Sequence, residues 1–236
     1  MESKVNAEIG FSEFGLLFLL ALLLFNPKDL GKAVATFKYW KGKIYRLKFD
    51  LEDELLETQI PDKKKESAWI VQAIRNFEPY KSAKKVAAFY PLANEPDIRP
   101  ILQDLAKEGR LLLPITYDGG IMDFVEIHDL QNDLVEGRFH VHEPKKELPI
   151  YHGAIPFVLT PGVEFSWDGG RHGHGKGYYD RFLKNHPDAI KCGVAFSTQV
   201  SPKPLILKPH DVPMNYIVAP KNDPEKETPH VEKATV

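Results

Sequence analysis

The chain is poor in cysteine and has almost no net charge. Its one cysteine, Cys192, excludes an intramolecular disulfide and a zinc cluster built on cysteines, and it fits a reducing cytoplasmic setting. The formal net charge of −2 gives no overall attraction to nucleic-acid phosphates, so we expect no nucleic-acid partner. No internal repeat is present, and 236 residues suit one domain of ordinary size with an additional segment.

The chain also lacks the spacing of a histidine-based zinc site. Its nine histidines include two alternating pairs, His140 with His142 and His172 with His174. Neither pair has the spacing of the helical His-Glu-x-x-His zinc motif, and no cysteine supports them. The sequence therefore predicts no zinc site.

A hydrophobic run of the usual membrane-spanning length is absent, but a shorter one lies near the N-terminus. Residues 14–25 carry no charge and are nearly all Leu, Phe or Ala. Counted from Phe11, a helix over this run would be about 22 Å long. The run is thus shorter than a typical bilayer-crossing helix, which has roughly 20 residues. Glu2, Glu8 and the lack of a small-residue cleavage site argue against a signal peptide. The lack of a polar stripe argues against a buried core helix.

A basic amphipathic segment follows this run. After Pro27, lysines alternate with apolar residues that recur at helical spacing, namely Leu30, Val34, Phe37 and Ile44. This pattern predicts a helix that lies on a membrane surface. The positive charge on this side of the apolar run predicts that it faces the cytoplasm.

The order of these two segments is itself a motif. Ile9-Gly10-Phe11-Ser12-Glu13-Phe14 and Phe25-Asn26-Pro27-Lys28-Asp29-Leu30 resemble the B-type and related A-type subunits of the twin-arginine protein translocase, which usually have Gly where this chain has Asn26. The resemblance implies a unit over residues 1–58 with a short transmembrane helix, a Pro hinge and a basic amphipathic helix. It also implies membrane contact through residues 9–48, a single pass of a bacterial inner membrane with the rest of the chain in the cytoplasm, and other translocase subunits as partners. A plain membrane anchor is the alternative.

The stretch 171–180 alternates glycine with side chains that can carry charge: Arg-His-Gly-His-Gly-Lys-Gly-Tyr-Tyr-Asp. Such spacing permits positive φ and lets backbone N–H groups converge on an anion. Arg171 and Lys176 add positive charge, and the residues after Gly177 are typical of a helix whose positive end faces the same anion. A short strand at 157–160 and a turn at 168–170 precede the loop. The pattern predicts a phosphate site in an α/β protein; a flexible surface loop is the alternative.

The flanks of this loop carry a second resemblance. Pro161-Gly162-Val163-Glu164-Phe165, followed by residues 170–183, is similar to the signature of the 5-formyltetrahydrofolate cyclo-ligases, also called 5,10-methenyltetrahydrofolate synthetases. The resemblance implies a domain at residues 59–220 with an α/β fold and a mainly parallel sheet sandwiched by helices. It also implies the ATP-dependent conversion of 5-formyltetrahydrofolate to 5,10-methenyltetrahydrofolate, with release of ADP and phosphate.

The periodicity of this region agrees with such a fold. Apolar residues at helical spacing predict a packing face on a helix over 69–77, and apolar runs predict strands at 86–90, 111–115, 122–127 and 193–196. Residues 221–236 are polar, charged and contain proline, so we expect a disordered tail.

The resemblance assigns roles to individual residues. It implies that Arg171, Lys176 and Tyr178 are catalytic, and that the folate contacts Tyr90, Glu95 and Tyr179. The apolar Met122 is a candidate lining residue of a pocket for the folate ring, with core packing as an equal alternative. The resemblance also implies that ATP contacts Arg171, His172, Gly173, His174, Gly175, Lys176, Gly177, Tyr178, Tyr179, Lys43 and Arg46. Lys43 and Arg46 are three residues apart, whereas the family's corresponding Lys and Arg are four apart.

Two carboxylates after the glycine loop are candidate magnesium ligands. Asp180 ends the loop, and Asp211 precedes the expected closing strand. Mg²⁺ prefers one or two carboxylates together with phosphate oxygens and water. The alternatives are a carboxylate in the first turn of a helix for Asp180 and a capping residue for Asp211.

Two functions therefore remain open from the sequence. The first is a membrane-tethered folate enzyme with ATP and Mg²⁺ as cofactors. The second is a twin-arginine translocase component whose cyclo-ligase-like domain binds ligand without turnover.

Overall fold

The computed structural model describes residues 62–137, 142–221 and 227–235, apart from the side chain of residue 118. The predicted membrane helix, the amphipathic helix, Lys43 and Arg46 all lie outside the described residues. The described helices are α1 (Lys63–Asn76), α2 (Glu78–Ser82), α3 (Arg99–Lys107) and α4 (Tyr178–Lys184). The described strands are β1 (Val86–Ala87), β2 (Leu111–Thr116), β3 (Met122–Glu126), β4 (Leu134–Glu136), β5 (His142–Pro144), β6 (Phe157–Thr160), β7 (Glu164–Ser166), β8 (Arg171–His172), β9 (Ile190–Val194), β10 (Val200–Ser201), β11 (Tyr216–Val218) and β12 (Glu232–Lys233).

A seven-stranded sheet forms the centre of the domain, with the order β12-β11-β9-β6-β1-β2-β3. The five inner strands run parallel to one another. Only the two edge strands of this sheet, β3 and β12, are antiparallel to their neighbours. The predicted α/β fold with a mainly parallel sheet is confirmed.

Helices cover both faces of this sheet. Side chains alternate along each strand, so that Leu111 and Leu113 pack into one core cluster and Leu112 into the other. The first cluster includes apolar residues of α1 and α3, and the second includes Phe182 and Leu183 of α4. This arrangement buries the strands on both sides, which is why they are almost continuously apolar in sequence.

Helix α1 begins at a side-chain cap and buries the face that its sequence predicts. The Asp62 carboxylate accepts a hydrogen bond of 3.0 Å from the Lys65 backbone N–H. The buried apolar residues of α1 are Trp69, Ile70, Val71, Ala73 and Ile74. The packing face is therefore confirmed.

The C-terminal segment differs from the predicted disordered tail. Within it, residues 227–235 are described, and β12 pairs with β11 in the register Tyr216 to Lys233. The Trp69 indole also donates to the Glu227 carbonyl over 3.1 Å. The prediction of disorder is wrong for this segment, because the open edge of β11 supplies backbone partners that composition does not reveal.

Among the described residues, no helix has both the length and the apolar character needed to span a bilayer.

Candidate functional site

The strand order reverses between β1 and β6. From β1 the chain continues to β2 on one side, whereas from β6 it continues to β9 and β11 on the other. Open parallel sheets bind ligands at such a switch point, outside the carboxyl ends of the strands. The segment after β1 carries Tyr90 and Glu95, and the chain after β6 leads into the glycine loop, residues 171–180.

The glycine loop begins in the hairpin of β7 and β8 and ends at helix α4. Gly175 and Gly177 adopt positive φ values of 78° and 62°, and Gly177 directly precedes α4. A Cβ atom at Gly173 would lie 2.8 Å from Nη1 of Arg171. Glycine is thus required here both for backbone conformation and for the close approach of the arginine.

Arg171 is the buried cation of this loop. Its Nη2 donates to Oδ1 of Asp180 over 2.8 Å, and its Nη1 donates to the Pro161 carbonyl over 3.2 Å. Arg171 is only 4% exposed, and its Nε finds no acceptor among the described residues. A buried N–H without a partner is costly, so this atom indicates a position where a ligand could supply an acceptor.

Tyr179 lies beside this arginine. The Arg171 guanidinium is 5.7 Å from the centre of the Tyr179 ring. The Tyr179 hydroxyl is buried and has no hydrogen-bond partner among the described residues. Burial raises the pKa of this hydroxyl, and the Glu95 carboxylate raises it further, whereas Arg171 acts in the opposite direction. Tyr179 therefore keeps its proton and presents a neutral donor to the site.

Glu95 meets the glycine loop from the opposite side. Its Oε2 accepts a hydrogen bond of 2.9 Å from the Leu92 N–H, and its Oε1 lies 4.0 Å from Nε2 of His174. The Glu95 side chain is only 6% exposed. The structure thus brings together a predicted folate contact and the predicted ATP loop, although 79 positions of sequence separate Glu95 from His174.

The other two predicted folate residues lie in different surroundings. The Tyr90 ring stacks on His142, with centroids 4.6 Å apart and an interplanar angle of 27°. Tyr90 borders a cavity of about 500 Å³, and Glu95 borders a second cavity of about 740 Å³. Met122 is buried in the core cluster on the α4 face, which favours the packing role that its sequence left open.

The two predicted magnesium ligands already have protein partners. Oδ1 of Asp180 accepts from Arg171 and also from the Val212 N–H, at 3.4 Å. Oδ2 of Asp211 accepts a hydrogen bond of 2.7 Å from the Lys208 N–H. The Val212 contact places the two aspartates on adjoining segments, and their oxygens are of the type that Mg²⁺ prefers. The magnesium site stays a prediction.

The remaining loop residues make local contacts. The His172 ring lies 3.5 Å from the Glu164 carboxylate and 3.2 Å from the Ile206 carbonyl. The Tyr178 hydroxyl donates to the Tyr117 carbonyl over 3.3 Å. Lys176 is exposed at the surface of the loop.

Three features of the site were missed at the sequence level. Arg181 bridges the glycine loop to the turn between β2 and β3. Asn94 Oδ1 and Thr160 Oγ1 are buried without a hydrogen-bond partner among the described residues. The adjacent glycines Gly119 and Gly120 could have indicated a turn that approaches another element closely, as Arg181 does here. Nothing in the local sequence indicates that Asn94 or Thr160 has a buried polar atom.

These features define a class: α/β proteins with a mainly parallel sheet and a ligand site at its carboxyl edge. The particular family follows from comparison with known proteins. The model of the 5-formyltetrahydrofolate cyclo-ligase family matches residues 40–220. The chain belongs to this family and is an enzyme of it. The match begins before the predicted domain start at residue 59 and includes Lys43 and Arg46.

Individual relatives agree with this assignment. The Escherichia coli K12 5-formyltetrahydrofolate cyclo-ligase is 33% identical over 153 residues, which are 61% of this chain and 82% of that protein. The mouse protein of the same name is 24% identical over 185 residues, which are 73% of this chain and 91% of that protein.

Solved structures show the same fold. The Aquifex aeolicus 5,10-methenyltetrahydrofolate synthetase superposes with a TM-score of 0.61 at 30% identity, over 80% of this chain and 94% of that one. The Mycoplasma pneumoniae 5,10-methenyltetrahydrofolate synthetase has a TM-score of 0.53 at 22% identity, over 75% of this chain and 96% of that one.

Proposed function

We propose that the chain converts 5-formyltetrahydrofolate to 5,10-methenyltetrahydrofolate and couples this reaction to conversion of ATP to ADP and phosphate. The formyl oxygen attacks the γ-phosphorus, and the bond from phosphorus to ADP breaks. N10 of the folate then attacks the activated formyl carbon and loses its proton, and the carbon–oxygen bond breaks to release phosphate. No protein nucleophile is required, so the enzyme acts by positioning and by neutralising charge.

The residues of the site divide between the two substrates. Arg171, Lys176 and the backbone N–H groups of the glycine loop, with its residues His172 to Tyr179, bind the triphosphate. Glu95 accepts hydrogen bonds from the N–H edge of the pterin, and Tyr179 lies between the two substrates. Tyr90 provides an aromatic surface for the folate.

One observation carries this proposal. Arg171 Nε and the Tyr179 hydroxyl are buried donors without acceptors among the described residues. The Arg171 guanidinium lies beside the Tyr179 ring, and the Glu95 carboxylate acts electrostatically on the Tyr179 hydroxyl. Native proteins leave few buried donors unsatisfied, and functional sites account for many of the exceptions. Phosphate and formyl oxygens are acceptors of the kind that these two donors lack.

Two further contacts are proposed for the triphosphate. Asp180 and Asp211 would hold Mg²⁺, which neutralises phosphate charge when bound. Lys43 and Arg46 would reach the phosphates from upstream; the start of the family match at residue 40 supports this role.

The test is direct. The full chain is mixed with ATP, Mg²⁺ and 5-formyltetrahydrofolate, and the absorbance of the methenyl product is followed. We expect turnover in the wild type. Arg171→Lys should lower the turnover rate at least about 100-fold, because lysine keeps the positive charge but lacks the paired N–H donors of the guanidinium. Circular dichroism verifies that the variant is folded. A folded wild-type chain that forms no product contradicts the proposal.

We also propose that residues 9–48 tether the enzyme to the cytoplasmic face of a bacterial inner membrane, and that other translocase subunits are partners. The support is the uncharged run at 14–25 and the lysines that follow it. Membrane fractionation of cells that express the full chain tests the tether. Recovery of the whole activity in the soluble fraction contradicts it, and a membrane-bound chain without turnover supports the non-catalytic translocase component instead.

A further inference from the structure

Arg181 joins three parts of the site without belonging to the chemistry proposed above. It lies in α4 directly after Asp180, at the start of the last turn of this short helix, and its side chain is exposed. Its Nε donates to the Gly120 carbonyl over 2.8 Å, and its Nη2 donates to the Lys176 carbonyl over 2.6 Å. Its guanidinium also lies 5.8 Å from the centre of the Tyr178 ring. We call these three contacts the Arg181 clamp.

Both ends of the clamp are shaped to admit the guanidinium. Gly120, in the turn between β2 and β3, has φ of 79°, and a Cβ atom there would collide with the Arg181 guanidinium. Gly177 has φ of 62°, and a Cβ atom there would lie 3.0 Å from Arg181 Nη1. Each glycine thus serves a backbone conformation and also a close approach of the same side chain.

The clamp fixes the direction of a backbone donor in the glycine loop. The peptide between Lys176 and Gly177 is trans, like every described peptide bond. In a planar trans peptide the C=O and the following N–H point in opposite directions. Because the Arg181 guanidinium donates to the Lys176 carbonyl, the Gly177 N–H points away from that guanidinium. Glycine on both sides of Lys176 would otherwise let this peptide rotate freely.

The clamp also ties the loop to a second element. Gly120 belongs to the turn that leads into Met122, and the same turn accepts the Tyr178 hydroxyl at the Tyr117 carbonyl. The loop is therefore hydrogen-bonded to the turn that joins β2 and β3, whose ladder runs from Leu112–Glu126 to Thr116–Met122. Sites supported by strands hold their geometry better than free loops.

We propose that Arg181 is a positioning residue that pre-orients the glycine loop for nucleotide phosphates. That the anion is a nucleoside triphosphate rests on the proposed function. Arg181 contributes little to the stability of the fold, because its side chain is exposed to solvent. Its contribution is to ATP binding, because a loop ordered in advance loses less entropy when the phosphates arrive.

The first test uses the full chain and measures ATP affinity by calorimetry and by the KM for ATP. Arg181→Ala should weaken ATP binding about tenfold, with the KM for the folate changed by less than about twofold. Arg181→Lys should have an ATP affinity between those of the wild type and Arg181→Ala, because one ammonium group does not reproduce the guanidinium hydrogen bonds to the two carbonyls. Lys184→Ala, an exposed cation one turn further along α4, is the matched control and should leave ATP binding unchanged.

The second test is a double-mutant cycle that a purely structural role would not reproduce. Gly120→Ala should weaken ATP binding in the wild type, since the added methyl group displaces the guanidinium. In the Arg181→Ala background the same change should weaken ATP binding much less, because no side chain remains to displace and only the strain of alanine at φ of 79° persists. Thermal unfolding midpoints should stay within about 2 °C for both Arg181 variants.

The outcomes separate the two proposals. Normal ATP affinity in a folded Arg181→Ala variant, or additive effects in the cycle, overturns the clamp and leaves the proposed function standing. A folded wild-type chain that neither binds ATP nor forms product overturns the proposed function and the clamp with it. Selective loss of ATP affinity together with a non-additive cycle supports both.

Discussion

Arg171 and Asp180 form an ion pair of 2.8 Å in which the two side chains are only 3% and 14% exposed. The pair closes the glycine loop on itself, because its members stand at the two ends of the stretch 171–180. Asp180 thereby neutralises and orients the cation that we propose for the triphosphate. The loop is therefore held by its own charges before any ligand binds.

Removing the acidic partner should destabilise the protein. Asp180→Ala leaves the Arg171 charge buried and uncompensated, which costs about 3–5 kcal/mol at such sites. Asp180→Asn should cost less, because the amide oxygen still accepts a hydrogen bond. Urea unfolding measures both effects, with the exposed Glu147→Gln as the control. If Asp180→Ala unfolds with the same free energy as the wild type, the Arg171–Asp180 ion pair is exposed to solvent in solution and the prediction is wrong.

Tyr179→Phe should separate stability from activity. The hydroxyl is buried without a partner in the described structure, so its removal should leave the unfolding free energy unchanged or raise it by about 1 kcal/mol. Turnover should fall at least about tenfold if this donor contacts a substrate. Tyr151→Phe, which removes a hydroxyl that donates to the Ala154 carbonyl near the surface, is the comparison. Full activity of Tyr179→Phe would refute the assigned contact.

Glu95→Gln should act on the folate and not on the nucleotide. The amide oxygen can keep the Leu92 N–H bond, so the backbone of the 91–97 segment should hold its shape. The carboxylate charge that would bind the N–H edge of the pterin is lost, and kcat/KM for the folate should fall about 10- to 100-fold. Steady-state kinetics with each substrate varied in turn provides the measurement. A parallel rise in the KM for ATP would instead indicate that the variant disturbs the whole site.

The C-terminal segment should show a pH-dependent contribution to stability. A hydrogen bond to the Thr228 carbonyl raises the pKa of His230, and Glu232 and Glu227 raise it further, while burial lowers it. A raised pKa in the folded state means that protonated His230 stabilises the fold below its ordinary pKa. This stabilisation is lost as the pH rises through the folded-state value. His230→Asn should therefore lower the melting temperature slightly at about pH 5.5 and have less effect at about pH 8.5. An effect that is larger at the alkaline pH contradicts this assignment.

The sequence predicted the parts of the site that are encoded locally. Alternating glycines, two cations and a helix start over residues 171–183 are contiguous, so their pattern is readable without tertiary information. The contact of Glu95 with His174 was not predictable from pattern, because it depends on how the strand order places two loops at one switch point. Only the family resemblance assigned Glu95 to the folate.

Two other differences have similar causes. Strand β12 forms because the edge of β11 offers backbone partners, and strand formation depends on such context more than on composition. The paired strand predicted at 86–90 is reduced to Val86–Ala87, since the chain then leaves the sheet to reach Tyr90 and Glu95.

The most direct test of the account is the stoichiometry of the reaction of the full chain with 5-formyltetrahydrofolate, ATP and Mg²⁺. Methenyl product is measured by absorbance and ADP by a coupled assay in the same sample. We expect one ADP for each methenyl product and no ADP without the folate. ADP released without methenyl product, or methenyl product formed without ATP, would contradict it.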